Sequence, residues 1–332
     1  MKRILFRFDV SNKVGFGHLI RCVSLSEELK KKKFKIFFST NKYFKQTEFF
    51  SNEKSILFIK IENNKKNEEI KLFKYIIKKK ISCVFFDIKK NYSRNFFSKL
   101  KKNKIKTITI DDKFNKRILC DLCFYPPVPQ IDKMSWKNFK GKRYAGWEYV
   151  PLRKQFKYRS KKKPYYDILI MSGGANKELF SIKILKMFLK FDNKLNININ
   201  FGFKAKFLKK IDQIISKTKH NVTIEHNNLN IKKSMERAFI IFTTFGVTAY
   251  EIASLGKASI IYSKKKNDQI SASIFNHEKI SFVINNLNKL NEKNIQKYIN
   301  QMKQKYSKNS YAISKKLSNG SKKIANIIFK NV

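Results

Sequence analysis

Arg7-Phe-Asp9-Val-Ser11-Asn-Lys-Val-Gly15-Phe-Gly17-His18-Leu-Ile-Arg21 is the stretch on which the reading of the fold turns. An apolar run, Ile4 to Phe8, stops at a polar loop with two glycines, and a helix-period pattern starts at His18. This predicts strand, loop and helix, with His18 in the first helical turn just past the C-terminal end of the first strand. In open α/β sheets ligands bind in the crevice at that end. Gly15 and Gly17 lack a Cβ and let backbone come close to a ligand. The helix N-terminus adds unbonded N–H groups and partial positive charge. That field favours the neutral imidazole, which suits His18 to general-base work near pH 7. Taken alone, the glycine pair reads better as a plain turn before a helix, because the third glycine of the dinucleotide fingerprint is missing.

Working outward, short β-branched or aromatic runs alternate with longer helix-period segments. Strands are expected at 3–8, 34–39, 55–61, 82–87, 105–110 and 120–125, with helices at 18–32, 66–80 and 91–103. Pro126-Pro127-Val128-Pro129 closes that series, and a basic stretch from Arg153 to Pro164 reads as a linker. The alternation then restarts, with strands at 166–171, 196–201, 221–225, 239–243 and 258–262 and helices at 178–191, 204–218, 247–255 and 268–276. Such alternation argues for parallel sheets covered by helices. The expected fold class is α/β, two Rossmann-like domains facing each other across a cleft. The expected division is a domain over 1–150, a linker over 151–165 and a second domain over 166–307. A C-terminal helix, 308–332, is expected to pack back toward the first domain.

The 332 residues carry a formal net charge of +50, which by itself suggests nucleic acid or an anionic membrane. Only nine of the 74 basic residues are arginine, the residue preferred for bidentate phosphate recognition. The lysines are scattered over helices and loops, so a solvated surface is the favoured reading. No nucleic-acid partner is expected, and peripheral contact with anionic lipid stays open. Cys120-Asp-Leu-Cys123 has metal-ligand spacing, but no second pair or nearby histidine completes a zinc site. No metal and no cofactor are expected. Without a signal-peptide pattern or an apolar run of ~18 residues, the expected compartment is the cytoplasm.

Two loops of the second half also sit at strand ends. Asp167–Met171 runs into Ser172-Gly173-Gly174-Ala175-Asn176, and Phe239–Thr243 runs into Thr244-Phe245-Gly246-Val247-Thr248, each before a helix. Strand, glycine loop and helix N-terminus can hold phosphate through backbone N–H groups. Two such loops suggest a diphosphate clamp. The bland alternative is a tight turn at Gly173 and Gly174, with Thr248-Ala-Tyr-Glu251 as a capping box. His220, His226 and His277 lack metal spacing, and Trp136 and Trp147 suit a core or domain boundary better than base stacking.

Together these residues resemble the nucleotide-sugar hydrolases of pseudaminic acid biosynthesis, relatives of the MurG-like glycosyltransferases. The resemblance spans nearly the whole chain. It is most specific from Asp9-Val-Ser11 through Gly15-Phe-Gly17-His18 to Arg21-Cys22. It continues at Ile110-Asp111-Asp112, at Tyr144-Ala-Gly146-Trp-Glu148-Tyr149-Val-Pro151-Leu152-Arg153, and at Gly173-Gly174, Gly246, Thr248, Glu251 and Asp268-Gln269.

The resemblance implies a metal-free glycosyltransferase-B fold and release of UDP from a UDP-linked diacetamido-trideoxy sugar by water. It makes His18 the base; if His18 is not the base, Asp9 is the next carboxylate to consider. Substrate contacts are implied for Ser11, Gly15, Gly17, Arg21 and Arg153 on the sugar side. On the UDP side they are implied for Gly173, Gly174, Gly246, Thr248, Glu251, Asp268 and Gln269, with Glu251 on the ribose hydroxyls. The chain departs from the family's pattern at Ala175 and Val247, where small hydroxyl residues are usual. At Asp87-Ile-Lys89 an aromatic is usual, and that sugar contact is either lost or supplied by Tyr92. A glycosyltransferase on the same fold, passing the sugar from UDP to an acceptor, is the alternative function.

Overall fold

The structure is a computed structural model describing residues 1–10, 16–41, 56–58, 65–157, 163–171, 178–201, 208–226, 231–305 and 307–332. The chain forms two units: residues 1–153 with 319–332, and residues 154–318.

The first unit is built on β1 (Arg3–Phe8), β2 (Lys35–Thr40), β3 (Ile56–Phe58), β4 (Cys83–Asp87), β5 (Lys106–Ile110), β6 (Leu122–Tyr125) and β7 (Lys142–Ala145). Its helices are α1 (Gly17–Lys30), α2 (Lys65–Lys78) and α3 (Arg94–Lys102). The strands pair in parallel in the order β3-β2-β1-β4-β5-β6-β7, so the order reverses between β1 and β4. Helices cover both faces, which is why the strands read as continuous apolar runs. Ile4, Phe6 and Phe8 pack with Leu19, Leu25 and Phe85 on one face, and Leu5 packs with Leu72, Ile76, Val84 and Phe86 on the other.

The second unit holds β8 (Tyr166–Met171), α4 (Glu178–Phe188), β9 (Asn196–Phe201), α5 (Leu208–Ile215), β10 (Asn221–His226), α6 (Ile231–Arg237) and β11 (Ala238–Thr244). It continues with α7 (Val247–Ser254), β12 (Ala258–Tyr262), α8 (Lys266–His277), β13 (Phe282–Ile284), α9 (Glu292–Lys305) and α10 (Ser307–Ser318). The order β10-β9-β8-β11-β12-β13, again parallel, reverses between β8 and β11. Ile168, Ile170, Leu185, Phe188, Ile197, Ile199 and Phe242 form its core.

The tail expected as one helix is two. α10 belongs to the second unit, where Ser314 Oγ donates to the Ser254 carbonyl of α7. The last helix, α11 (Gly320–Asn331), belongs to the first unit, and Ile324, Ala325 and Ile328 join its core. The break falls where Gly320 meets the chain before it. A Cβ on Gly320 would lie 2.1 Å from the Val150 carbonyl oxygen, so only glycine passes there. β7 and β13 were not expected. β7 is a mostly exposed edge strand of sequence Lys-Arg-Tyr-Ala, without the apolar signal of the others.

Candidate functional site

The alternation of side chains along a strand decides what reaches the first switch point. On β4, Cys83, Phe85 and Asp87 face α1, while Val84 and Phe86 face α2 and α3. Asp87 is the last residue of β4 and pairs in register with Phe8, the last of β1. On α1, His18, Arg21 and Cys22 are spaced i, i+3, i+4 and so share one helical face. All three converge on Asp87.

His18 Nδ1 lies 2.5 Å from Asp87 Oδ1. Arg21 holds the same carboxylate with two donors, Nε to Oδ2 at 3.0 Å and Nη2 to Oδ1 at 2.6 Å. Its Nη1 reaches Asp111 Oδ2 at 3.4 Å, just past the end of β5. Cys22 Sγ points at Asp87 Oδ2 from 3.9 Å. Asp87 is 1% exposed and His18 8%. A carboxylate accepts only, so the proton of the neutral ring sits on Nδ1 and Nε2 keeps its lone pair. Burial alone would raise the Asp87 carboxyl; the charges and hydrogen bonds of Arg21 and His18 outweigh it and hold the carboxyl below its ordinary value. Burial and the Asp87 charge push the Cys22 thiol far up, which leaves it unreactive.

Among the described residues the carboxylate bonded to His18 is Asp87; Asp9, the next carboxylate considered for catalysis, is engaged elsewhere. Asp9 Oδ1 is 2.6 Å from Arg7 Nη1. Arg7 shares the α2 face with Leu5, and its Nη2 meets Glu68 Oε1 at 2.9 Å. Glu68 also receives the Tyr92 hydroxyl at 2.7 Å and the ammonium of Lys90. Burial opposes the ionised Glu68, but Arg7, Lys90 and Tyr92 hold its carboxyl below the ordinary value. Tyr92 is thus a buried core residue beside Phe86, its hydroxyl spent on Glu68, and does not replace the missing aromatic contact.

Asp111 and Asp112 part company at the end of β5. Asp111 adopts a left-handed φ of 50°, which breaks the strand alternation. Its side chain, 31% exposed, turns to Arg21. Asp112 turns inward to Lys116 Nζ at 2.8 Å, and both side chains of that pair are buried. Burial pushes the Asp112 carboxyl above its ordinary value, and Lys116, the Phe114 N–H and Arg117 offset part of that.

Gly17 is the first residue of α1. Arg153, half-buried, is the last residue before the second unit. Ser11, Gly15, Gly173, Gly174 and Ala175 lie outside the described residues.

In the second unit, Gly246 follows β11 and is the N-cap of α7; Val247 and Thr248 are its first two residues. A capping box needs Thr248 at the N-cap, so that reading falls. A Cβ on Gly246 meets no heavy atom within 4 Å among the described residues, so its backbone is approachable. Glu251 is 2% exposed, on the buried face of α7. Phe245 N–H donates to the Tyr262 carbonyl at 3.0 Å, which ties this loop to the end of β12. Asp268 and Gln269 follow in the first turns of α8. Gln269 Nε2 donates to the Lys264 carbonyl at 2.9 Å, and Asp268 sits where a carboxylate complements the helix dipole.

His220, Trp136 and the cysteines are structural. His220 is buried with Nε2 2.6 Å from the Phe188 carbonyl. Trp136 packs against Tyr125 and Phe139, with Arg117 over its ring. All four cysteines are free and buried. No cluster of three metal-ligating side chains occurs among the described residues, and none of their helices is long and apolar enough to cross a membrane.

No protein-family model matches the sequence. A curated protein of Methanocaldococcus jannaschii, itself uncharacterized, is 26% identical over 271 residues, covering 75% of this chain and 53% of the relative. The chain thus spans about half the length of that relative. Among solved structures, MurG of Acinetobacter baumannii superposes with a TM-score of 0.68 at 12% identity, over 99% of this chain and 100% of that one. The UDP-GlcNAc 2-epimerase of Neisseria meningitidis, bound to UDP-GlcNAc, superposes at 0.62 and 16% identity over 99% and 100%. The spinosyn rhamnosyltransferase SpnG, complexed with thymidine diphosphate, superposes at 0.67 and 7% identity over 99% and 100%. These likenesses, with two parallel sheets each reversing after the strand that begins it, define the glycosyltransferase-B fold.

Proposed function

We propose that the protein is a UDP-sugar hydrolase, with a UDP-linked diacetamido-trideoxy sugar as its substrate. The observation that carries this is the buried Asp87 holding His18 Nδ1 at the first switch point, which leaves Nε2 as a base. In the reaction, Nε2 takes a proton from water as the water oxygen bonds to the anomeric carbon. The bond from that carbon to the β-phosphate oxygen breaks, UDP departs, and the configuration inverts. Asp87 stabilises the imidazolium that forms, and Arg21 keeps the carboxylate ionised and oriented.

The second unit takes the nucleotide in this reading. The N–H groups at Gly246, Val247 and Thr248 face the diphosphate. The loop carrying Gly173 and Gly174 is assigned there by resemblance alone, as are Glu251 on the ribose and Asp268 and Gln269. Arg153, Ser11, Gly15 and Gly17 keep their expected roles toward the sugar. The second reading is a glycosyltransferase, in which the same His18 deprotonates an acceptor hydroxyl. It is favoured by the transferases among the solved structures of this fold.

Incubation with UDP-sugars and no acceptor separates the two. Equal amounts of UDP and free sugar support the hydrolase. UDP release that appears only with an added acceptor supports the transferase, and a UDP-sugar isomer as product supports neither.

A further inference from the structure

We infer that Lys116 is a positioning residue for His18, acting by bracing the two strand ends that carry Asp87 and Asp111. Its ammonium is buried and donates to the Ile88 carbonyl at 3.0 Å and to Asp112 Oδ1 at 2.8 Å. Ile88 is the residue after Asp87, and Asp112 is the residue after Asp111. On the other side of the same two strand ends, Arg21 spans Asp87 and Asp111. Two cations therefore brace the same two strand ends, Arg21 through the Asp87 and Asp111 side chains and Lys116 through the Ile88 carbonyl and Asp112.

The anchor points are themselves fixed. Asp112 Oδ1 also receives the Phe114 N–H at 2.9 Å, and its carbonyl receives the Tyr125 hydroxyl at 2.7 Å. The Lys116 N–H donates to Asn91 Oδ1 at 3.2 Å, and its carbonyl receives Cys120 Sγ at 3.4 Å. With both side chains enclosed, the pair has no route to a substrate. A pair kept for stability alone has no need of its charge, since apolar residues of similar volume serve a buried site as well or better. What an ammonium does here that a methyl cannot is hold the peptide after Asp87 against the loop after Asp111. Without it, Asp87 loses its fixed distance from α1 and its grip on His18 Nδ1. The inference rests on the reading of His18 as the base only for its consequence in turnover; the bracing is visible in the His18 ring itself.

The test uses 15N NMR of the histidine rings in the full chain, with His18 assigned by loss of its signals in His18→Gln. Three variants are compared: Lys116→Met, Lys116→Gln, and Lys116→Met with Asp112→Leu, which removes both charges together. Of the two neutral tautomers of His18, the native chain is expected to favour the one with its proton on Nδ1. In the double variant the ratio of Nδ1–H to Nε2–H is expected to fall by about 10-fold or more, the worth of one charge-assisted hydrogen bond, while melting stays near native. A folded variant without the ammonium that keeps the native tautomer overturns the inference. Loss of the fold in all three assigns the pair to stability and overturns it too. Where a UDP-sugar is turned over, kcat is expected to fall with KM unchanged. Absence of turnover in the native chain would count against the proposed function and leave the NMR result standing.

Discussion

The two units share a strand order but put different matter at the point where it reverses. In the first, His18, Arg21, Asp87 and Asp111 fill the carboxyl edge of β1, β4 and β5 with interlocked charge. In the second, the corresponding edge at β11 offers Gly246 and a helix start, with no heavy atom among the described residues within 4 Å of where a Gly246 Cβ would lie, and with Glu251 drawn inside. A switch point supplies a place, and side chains decide its use. Fixed charge around one imidazole suits the movement of a proton. Bare N–H groups at a helix start suit an anion.

The largest effect expected from breaking this division is that of His18→Ala. Turnover of a UDP-sugar should fall by ~10²–10⁴, with KM little changed, since the base acts mainly in the transition state. Near-native kcat in this variant removes His18 as the base and leaves Asp9 as the next carboxylate to test. Glu251→Gln probes the other side. It should weaken UDP binding by about 1.5–3 kcal/mol in calorimetry, through loss of a charged acceptor, and leave the His18 NMR signals unmoved. Native UDP affinity with a lower melting temperature instead assigns Glu251 to the fold.

A third test uses acid. Asp87 and Glu68 have folded-state carboxyls held below their ordinary values. Their contribution to stability is therefore fully present above the ordinary value near 4 and is lost as pH falls through the lower folded values. Both tryptophans, Trp136 and Trp147, lie in the first unit, so fluorescence follows it selectively. Denaturant midpoints read by fluorescence should fall on acidification below about pH 4, and Asp87→Asn with Glu68→Gln should flatten that slope. The smallest effect on the fold is expected from Gly246→Ala. The added methyl meets no heavy atom of the described residues within 4 Å, so stability should stay within about 0.5 kcal/mol. UDP affinity should nevertheless drop, and unchanged affinity would move the anion away from this loop.

Much of this was readable in advance, for a physical reason. Parallel strands buried on both faces must be continuous apolar runs, so β1, β8, β9 and β12 stand out at or near their observed limits. His18 was readable because a helix start leaves a local signature. Its partner was not. Asp87 lies 66 residues from Arg21, and only the register of β1 on β4 brings them together. Asp9 is close to His18 in sequence, but the alternation of β1 places Arg7 over α2, where it takes Asp9. The signal that could have found Asp87 was its place: a lone acid ending the fourth strand, next to the switch point, in phase with Cys83 and Phe85. Glu251 imitated a capping box because α7 starts one residue before Thr248.

Gly320 has a consequence for modularity. The Val150 backbone rests against it, and close by Ser321 Oγ donates to the Leu152 carbonyl at 3.2 Å. The chain therefore leaves its first unit and returns to it at neighbouring points. In effect the second unit is a guest inserted into a host at a single doorway, the arrangement that tolerates excision and exchange best. A short turn from Leu152 to Gly320 would close the host without its guest. A different guest could occupy residues 154–318 while His18, Asp87 and Arg21 stayed as they are.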